Sequence, residues 1–285
     1  PCIDSADETF NCEWSQELRL RESLDQYLVT WVLLHILARR HGVPVTGKGP
    51  GFLCNMSVGY NMEGILQPNV QAFFAGMADC SAGKRALIES LRDICPEAAD
   101  IDIPDTISDN ITLSTMHGCP PDEIGKIGLY LINEKKLNTT IKLNPTLLGP
   151  ERLRAILNDQ LGFETTVPDA AFEHDLKYPD ALQLIRTLQD AAAAKGVAFG
   201  IKLTNTLECL NHRGVFPEKE KMMYMSGRAL HPLSVNLAAR LQEEFNGELD
   251  ISFSAGADCF NVADLIAAGL KPVTVSSDLL KPGGY

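Results

Sequence analysis

The sequence predicts an α/β protein with parallel strands, either a (β/α)8 barrel or an open doubly wound sheet. Three observations carry this. Six strand-like stretches alternate with helical ones along the 285 residues, an order that brings parallel pairing and right-handed crossovers. The strands are mostly apolar, as expected of a sheet covered on both faces. Polar residues recur where the strands end, above all in T-T-I-K-L-N-P-T-L-L-G at 139–149 and A-F-G-I-K-L-T-N-T at 198–206. Eight units close a barrel, so six imply about two more outside the segment.

In chain order, residues 1–14 read as irregular. A helix is expected from about Ser15 to Arg40, because Leu24, Leu28, Trp31, Leu34 and His35 recur at spacings of three and four. His35 reads as a satisfied helix histidine rather than a ligand. The Gly- and Pro-rich stretch 43–51 is a loop and 52–60 the first strand. Helices follow over 68–78 and 83–93, a polar loop over 101–109 and a strand over 110–115. Pro121, Asp122 and Glu123 suit a first helical turn, where proline lacks only an unused donor and acids meet the helix dipole. That helix runs to about Lys136. The Lys142 strand leads through Gly149–Pro150 to helix 151–161, and after an insertion to helix 179–195 and strand 197–206. The polar stretch 207–225 reads as a lid or a solvated loop. Helix 230–245, strand 249–254, short helix 263–268 and strand 272–276 complete the order.

Composition narrows the function. With 25 Lys plus Arg against 37 Asp plus Glu, the formal charge is -12, which argues against nucleic-acid or anionic-membrane partners, since both need a positive footprint. No apolar run approaches the roughly 20 residues of a membrane span. The eight cysteines are scattered without a C-x-x-C pair to suggest zinc or an iron-sulfur cluster, and free thiols in a reducing cytoplasm are expected rather than disulfides. Pro1 in place of an initiator methionine, and Gly284–Tyr285 at the other end, read as an internal segment of a longer polypeptide; residues 1–285 read as one domain.

In a barrel the active groups sit at the C-terminal strand ends. That rule selects Tyr60–Asn61, Ser114–Thr115, Lys142–Asn144, Thr204–Asn205–Thr206, Ser254–Ala255–Gly256 and Ser276–Ser277. The last two groups are small residues suited to a phosphate held by backbone N–H groups. A lysine buried on a strand costs free energy unless paired. Lys142 therefore either faces an electron-rich ligand, such as the N1 and O2 edge of reduced flavin, or snorkels to the rim. His117 and Cys119 stand where an acid or base is useful, with proton delivery by Ser114, Thr115 or Cys119 favoured over a Cys/His nucleophile. An aldolase-type Schiff base on Lys142 or Lys202 is a further reading.

S-T-M-H-G-C-P-P, K-L-N-P-T-L-L-G, G-I-K-L-T-N-T, Y-M-S-G-R-A-L-H-P-L-S and D-L-L-K-P-G-G-Y resemble the selenate reductase iron-sulfur flavoprotein subunit family along nearly the whole chain. The resemblance implies an FMN-linked barrel similar to those of dihydroorotate and dihydropyrimidine dehydrogenases. It also implies FAD, NAD(P)H and 4Fe–4S domains outside this segment, a small-molecule acceptor, and redox partner subunits, a molybdenum enzyme among them. K-L-N-P resembles a K-L-T-P motif whose lysine contacts FMN, implying that role for Lys142. T-N-T implies Asn205 and Thr206 as substrate contacts, and G-Y-N implies Asn61. S-G-R-A-L-H-P and S-A-G-A-D imply Ser226, Gly227, Ala255 and Gly256 near FMN.

Departures from the pattern bear on the chemistry. Thr115 stands where the dehydrogenase has its acid–base cysteine, and Thr112 where it has a substrate-binding asparagine. Either Cys119 substitutes as the acid, or the barrel does not reduce a pyrimidine. Asp278 beside Ser277 sets a negative charge near the expected phosphate. The expectation is a flavin-dependent oxidoreductase barrel acting on a planar heterocycle or selenate, the alternative an inactive barrel that docks electron-transfer partners.

Overall fold

A computed structural model of the chain describes residues 3–4, 9–11, 18–43, 51–115, 119–211, 214–276 and 279. It separates into two units, one of Gln16–Ile111 and a larger one of Pro1–Ser15 with Thr112–Tyr285. The larger unit starts with two short antiparallel strands, β1 (Ile3–Asp4) and β2 (Thr9–Asn11), in the stretch expected to be irregular.

In the smaller unit, α1 (Leu20–Arg40) begins where the Arg19 amide donates to Glu22 Oε2 at 2.8 Å, so an acid at the third position holds the first turn. Its apolar stripe buries Trp31, Val32, His35, Ile36 and Ala38. After β3 (Met56–Val58) and the single turn α2 (Met62–Ile65) come α3 (Pro68–Ala78) and α4 (Ser81–Ser90). α3 opens with a proline at its first position, as expected, and buries Val70, Phe73, Phe74 and Met77. It lies against α1 at Gly76, where a Cβ would collide with Leu24. His35 is a helix histidine as anticipated but only half satisfied, with Nδ1 2.7 Å from the Trp31 carbonyl. Its ring stands edge-on to Trp31 and Phe52, and Nε2 is buried without a partner among the described residues.

The rest of the larger unit alternates strand and helix. β4 (Asn110–Ser114), which enters this unit at Thr112, α5 (Pro121–Asn133) and β5 (Asn138–Leu143) lead to α6 (Pro150–Arg154), which runs into a π-helical stretch Ala155–Gln160. α7 (Asp169–His174), α8 (Tyr178–Lys195) and β6 (Phe199–Leu203) follow. β7 (Leu207–Leu210), β8 (Met222–Ser226), α9 (Leu230–Glu244), β9 (Ile251–Phe253) and α10 (Val262–Ala267) complete it. In this unit the parallel sheet runs in the order β4-β5-β6-β9. Ile141 is in register with Ile201, and Ile201 with Ile251.

Alternation along these strands sorts the side chains by face. Ile141, Leu143, Ile201, Leu203, Ile251 and Phe253 are all buried, each contributing about 1.5–3 kcal/mol relative to exposure. Lys142, Lys202 and Ser252, one residue out of phase, are only partly buried. α5 and α8 pack closely because Gly128 has no side chain: a Cβ there would stand 2.8 Å from Leu188 Cδ2.

Two expectations are corrected. The stretch read as a lid or solvated loop contains a β-hairpin, in which β7 pairs antiparallel with β8 and β8 with β2, giving the sheet order β1-β2-β8-β7. Leu207, Cys209, Met223 and Met225 are fully buried, so this hairpin has a core face. The strand expected over 272–276 is reduced to a single parallel bridge between Val273 and Phe253. Pro272 has no N–H to extend a ladder; the backbone bonds to β9 are Lys271 N–H to the Ile251 carbonyl at 2.9 Å, Phe253 N–H to the Pro272 carbonyl at 2.9 Å and Thr274 N–H to the Phe253 carbonyl at 2.8 Å.

Candidate active site

The ends of β4, β5 and β6 converge on one buried polar cluster. As β4 ends, the Thr115 amide donates to the Lys142 carbonyl at 3.2 Å and its Oγ1 donates to the same oxygen at 2.8 Å. The Asn205 amide proton goes to the Leu143 carbonyl at 2.8 Å. Its side-chain Nδ2 donates to the Thr115 carbonyl at 2.9 Å and to Asn144 Oδ1 at 2.7 Å. Thr204 Oγ1 lies 2.9 Å from Ser234 Oγ on α9. Thr115, Asn144 and Thr204 are each 4% exposed. Buried polar groups of this kind cost free energy unless satisfied, and here the three strand ends satisfy one another.

Two groups depart from that economy. Ser114 is 5% exposed and its Oγ has no hydrogen-bond partner among the described residues. Lys142 stands on the opposite strand face from Ile141 and Leu143; among the described residues no acid pairs with it and its Nζ makes no hydrogen bond. Burial, with the neighbouring Lys202 charge second, pulls its pKa down to about 8. Lys202 Nζ donates to Thr274 Oγ1 at 2.8 Å, and its pKa is likewise lowered by burial. Sequence reasoning found Lys202 but missed Thr274, which sits past the bridge at Val273.

The small-residue turns expected to hold a phosphate touch each other. Ser226 ends β8, and Gly227 follows with φ +79°. Ser254 follows β9, its amide donating to the Leu203 carbonyl at 2.6 Å. Gly256 has φ +60°, and a Cβ there would stand 2.6 Å from the Gly227 carbonyl, so only glycine permits this approach. The turn is tied by Asn261 Nδ2, which donates to the Gly256 carbonyl at 2.9 Å, and by His231 Nδ1, 3.1 Å from the Ala255 carbonyl.

Cys119 is half-buried just ahead of α5, and burial, then Glu123, raise its thiol pKa, so it stays protonated at neutral pH. Thr206 is half-buried between β6 and β7. Ser276 is exposed, its carbonyl accepting from the Leu279 amide at 2.9 Å. Asn61 belongs to the smaller unit, where its Oδ1 caps α2 by accepting from Gly64 N–H at 2.9 Å. His117, Ser277 and Asp278 lie outside the described residues. No cluster of metal-ligating side chains occurs among the described residues, and none of their helices is long and apolar enough to cross a membrane. A cleft of about 390 Å³ lined by Arg154, Asn158 and residues 164–169 includes none of the strand-end groups. Arg154 there is committed to Asp169 at 2.6 Å.

The YgfK proteins of Escherichia coli strains K12 and O157:H7 are each 44% identical over 307 residues, covering 100% of this chain and 29% of their own length. The chain thus spans less than a third of the curated relatives it matches. Among solved structures, ligand-free DHODH from Eimeria tenella superposes with a TM-score of 0.39 at 15% identity, covering 69% of this chain and 51% of that one. The same enzyme with ferulenol gives 0.34 at 18% identity, covering 61% and 54%. The family described as "Oxidoreductase YgfK, N-terminal TIM-barrel domain" matches residues 1–285, and the chain belongs to that family.

Proposed function

We propose that this domain is the flavin-binding barrel of a multi-cofactor oxidoreductase, with FMN held against Lys142. The observation that carries the reading is a partly buried lysine on a strand face with neither acid nor hydrogen-bond partner among the described residues. A charge so placed calls for an electron-rich ligand. The unpartnered Ser114 Oγ supplies a hydroxyl for the same ring system, and the contact between the Gly227 and Gly256 turns makes a small-residue surface suited to a phosphate. These features fit FMN, with Lys142 toward its N1 and O2 edge and Ser226, Gly227, Ser254, Ala255 and Gly256 toward its phosphate.

When bound, FMN supplies two-electron transfer. The chain's own groups orient and protonate. Asn205 spends its Nδ2 protons on Thr115 and Asn144, leaving Oδ1 to accept from an N–H of a heterocyclic acceptor. Thr115 is tied to the Lys142 carbonyl and is a poor acid, so the proton comes from Cys119, whose raised pKa keeps it loaded at neutral pH. In the whole protein, FAD and 4Fe–4S centres outside this domain would supply electrons from NAD(P)H, in the cytoplasm. Selenate is the less favoured acceptor, since no arginine among the described residues belongs to the strand-end cluster.

A second reading is an inactive barrel that docks electron-transfer partners. It is favoured by Thr115, which occupies the expected acid–base position yet serves as an internal tie. Anaerobic NAD(P)H reduction of the full-length protein, followed by reoxidation with a panel of pyrimidines and purines, separates the two. Turnover with one heterocycle, slowed at least about tenfold in Cys119→Ser, is the enzyme's result. Reduced protein that no heterocycle reoxidises favours the docking barrel.

A further inference from the structure

Lys202 has no task in the reading above, yet its placement is specific. It is the register partner of Lys142 on the adjacent strand, and Ser252 is the next partner along. One row across β5, β6 and β9 therefore reads Lys, Lys, Ser on the face opposite the apolar core. Adjacent strands lie only about 4.8 Å apart, and like charges directly opposite one another destabilise a sheet. Neither lysine has an acid partner among the described residues. Lys202 Nζ is instead held by a neutral hydroxyl, Thr274 Oγ1, at 2.8 Å. Two neighbouring, partly buried cations without a counter-ion are an uncompensated cost that an anionic ligand offsets. Burial lowers the pKa of both, Lys142 to about 8, so Lys142 is mostly protonated at neutral pH.

We infer that Lys142 and Lys202 act as a two-cation clamp for delocalised negative charge on the ligand of this face, with Thr274 positioning Lys202. The inference rests on the flavin reading, in which the charged ligand is the reduced isoalloxazine ring. A second cation favours the reduced, anionic ring over the oxidised, neutral one, and so raises the midpoint potential of the bound flavin.

The test uses full-length protein reconstituted with FMN, comparing the parent with Lys202→Met, Lys202→Gln and Lys202→Arg. Two quantities are read: the FMN midpoint potential, and the Kd of oxidised FMN from fluorescence quenching. Loss of the cation is expected to cost at least about tenfold in preference for the reduced ring, a fall of about 30 mV for a two-electron couple. The Kd of oxidised FMN should change less than about threefold, and Lys202→Arg should keep the parental potential. A merely structural lysine would weaken both redox forms alike. If FMN binds but the potential of the Met and Gln variants matches the parent's, the clamp is wrong and the flavin reading survives. A parent that binds no FMN overturns both.

Discussion

Replacing Lys142 by methionine should make the ligand-free protein more stable. Methionine keeps the length of the side chain and removes its charge. The lysine's pKa falls from 10.5 to about 8 on folding, and at about 1.4 kcal/mol per unit this is a cost of roughly 3 kcal/mol for holding the charge in place. At pH 7 both folded and unfolded states carry the proton, so the full cost is present. Between pH 8 and 10.5 the folded state releases the proton while the unfolded state keeps it, so the parent gains stability as pH rises. Urea unfolding of ligand-free parent and Lys142→Met at pH 7 and pH 10 measures this. The variant should be more stable by up to about 3 kcal/mol at pH 7, with most of the difference gone at pH 10. A variant less stable than the parent, or a difference that does not change with pH, would show that Lys142 is adequately solvated or paired, and would remove the reason for placing a ligand against it.

Three further outcomes are expected. His35, its pKa lowered chiefly by burial, binds a proton less readily folded than unfolded, so stability should drop as pH falls below about 6.5. In His35→Phe that part of the slope should vanish from the pH dependence of urea midpoints. Asn205→Ala strips the Thr115 carbonyl and Asn144 Oδ1 of their shared donor and should cost about 1–3 kcal/mol; an unchanged thermal midpoint would mean that the cluster is not built as described. Iodoacetamide mapping by mass spectrometry at pH 8 should label exposed Cys259 first and half-buried Cys119 more slowly. Cys209, buried with its thiol pushed up to about 12, should be labelled only on unfolding; early labelling of Cys209 would contradict its place in the β7–β8 hairpin.

The parts of the fold that were legible are those with a local signature. Ile141, Lys142 and Leu143 alternate within three residues, and Pro68 and Pro121 mark helix starts through a donor they lack. The hairpin escaped because Glu208 and the run E-K-E-K at 218–221 made the stretch read as solvated, although Leu207 with Cys209, and Met223 with Met225, already carried the alternation of a half-buried strand. Its pairing of Thr9 with Ser226 joins distant parts of the chain, which no local pattern records. The same limit applies to the site. Lys142 was conspicuous as a charge between two apolar residues, but its register with Lys202 and the hold of Thr274 on that neighbour depend on strand pairing. Asn205 was found by its place at a strand end, whereas the commitment of its amide to Thr115 and Asn144 emerges only when three strand ends meet. Pro272, which has no N–H to extend a ladder, already signalled that its strand would not extend.

The most direct test of the flavin site is the flavin content of the full-length protein beside a Lys142→Ala variant, with released FMN and FAD separated and quantified. The account predicts FMN and FAD in the parent, and loss of FMN alone in the variant. FAD as the sole flavin in both proteins would contradict it, leaving Lys142 without a flavin to face and the docking barrel as the reading that remains.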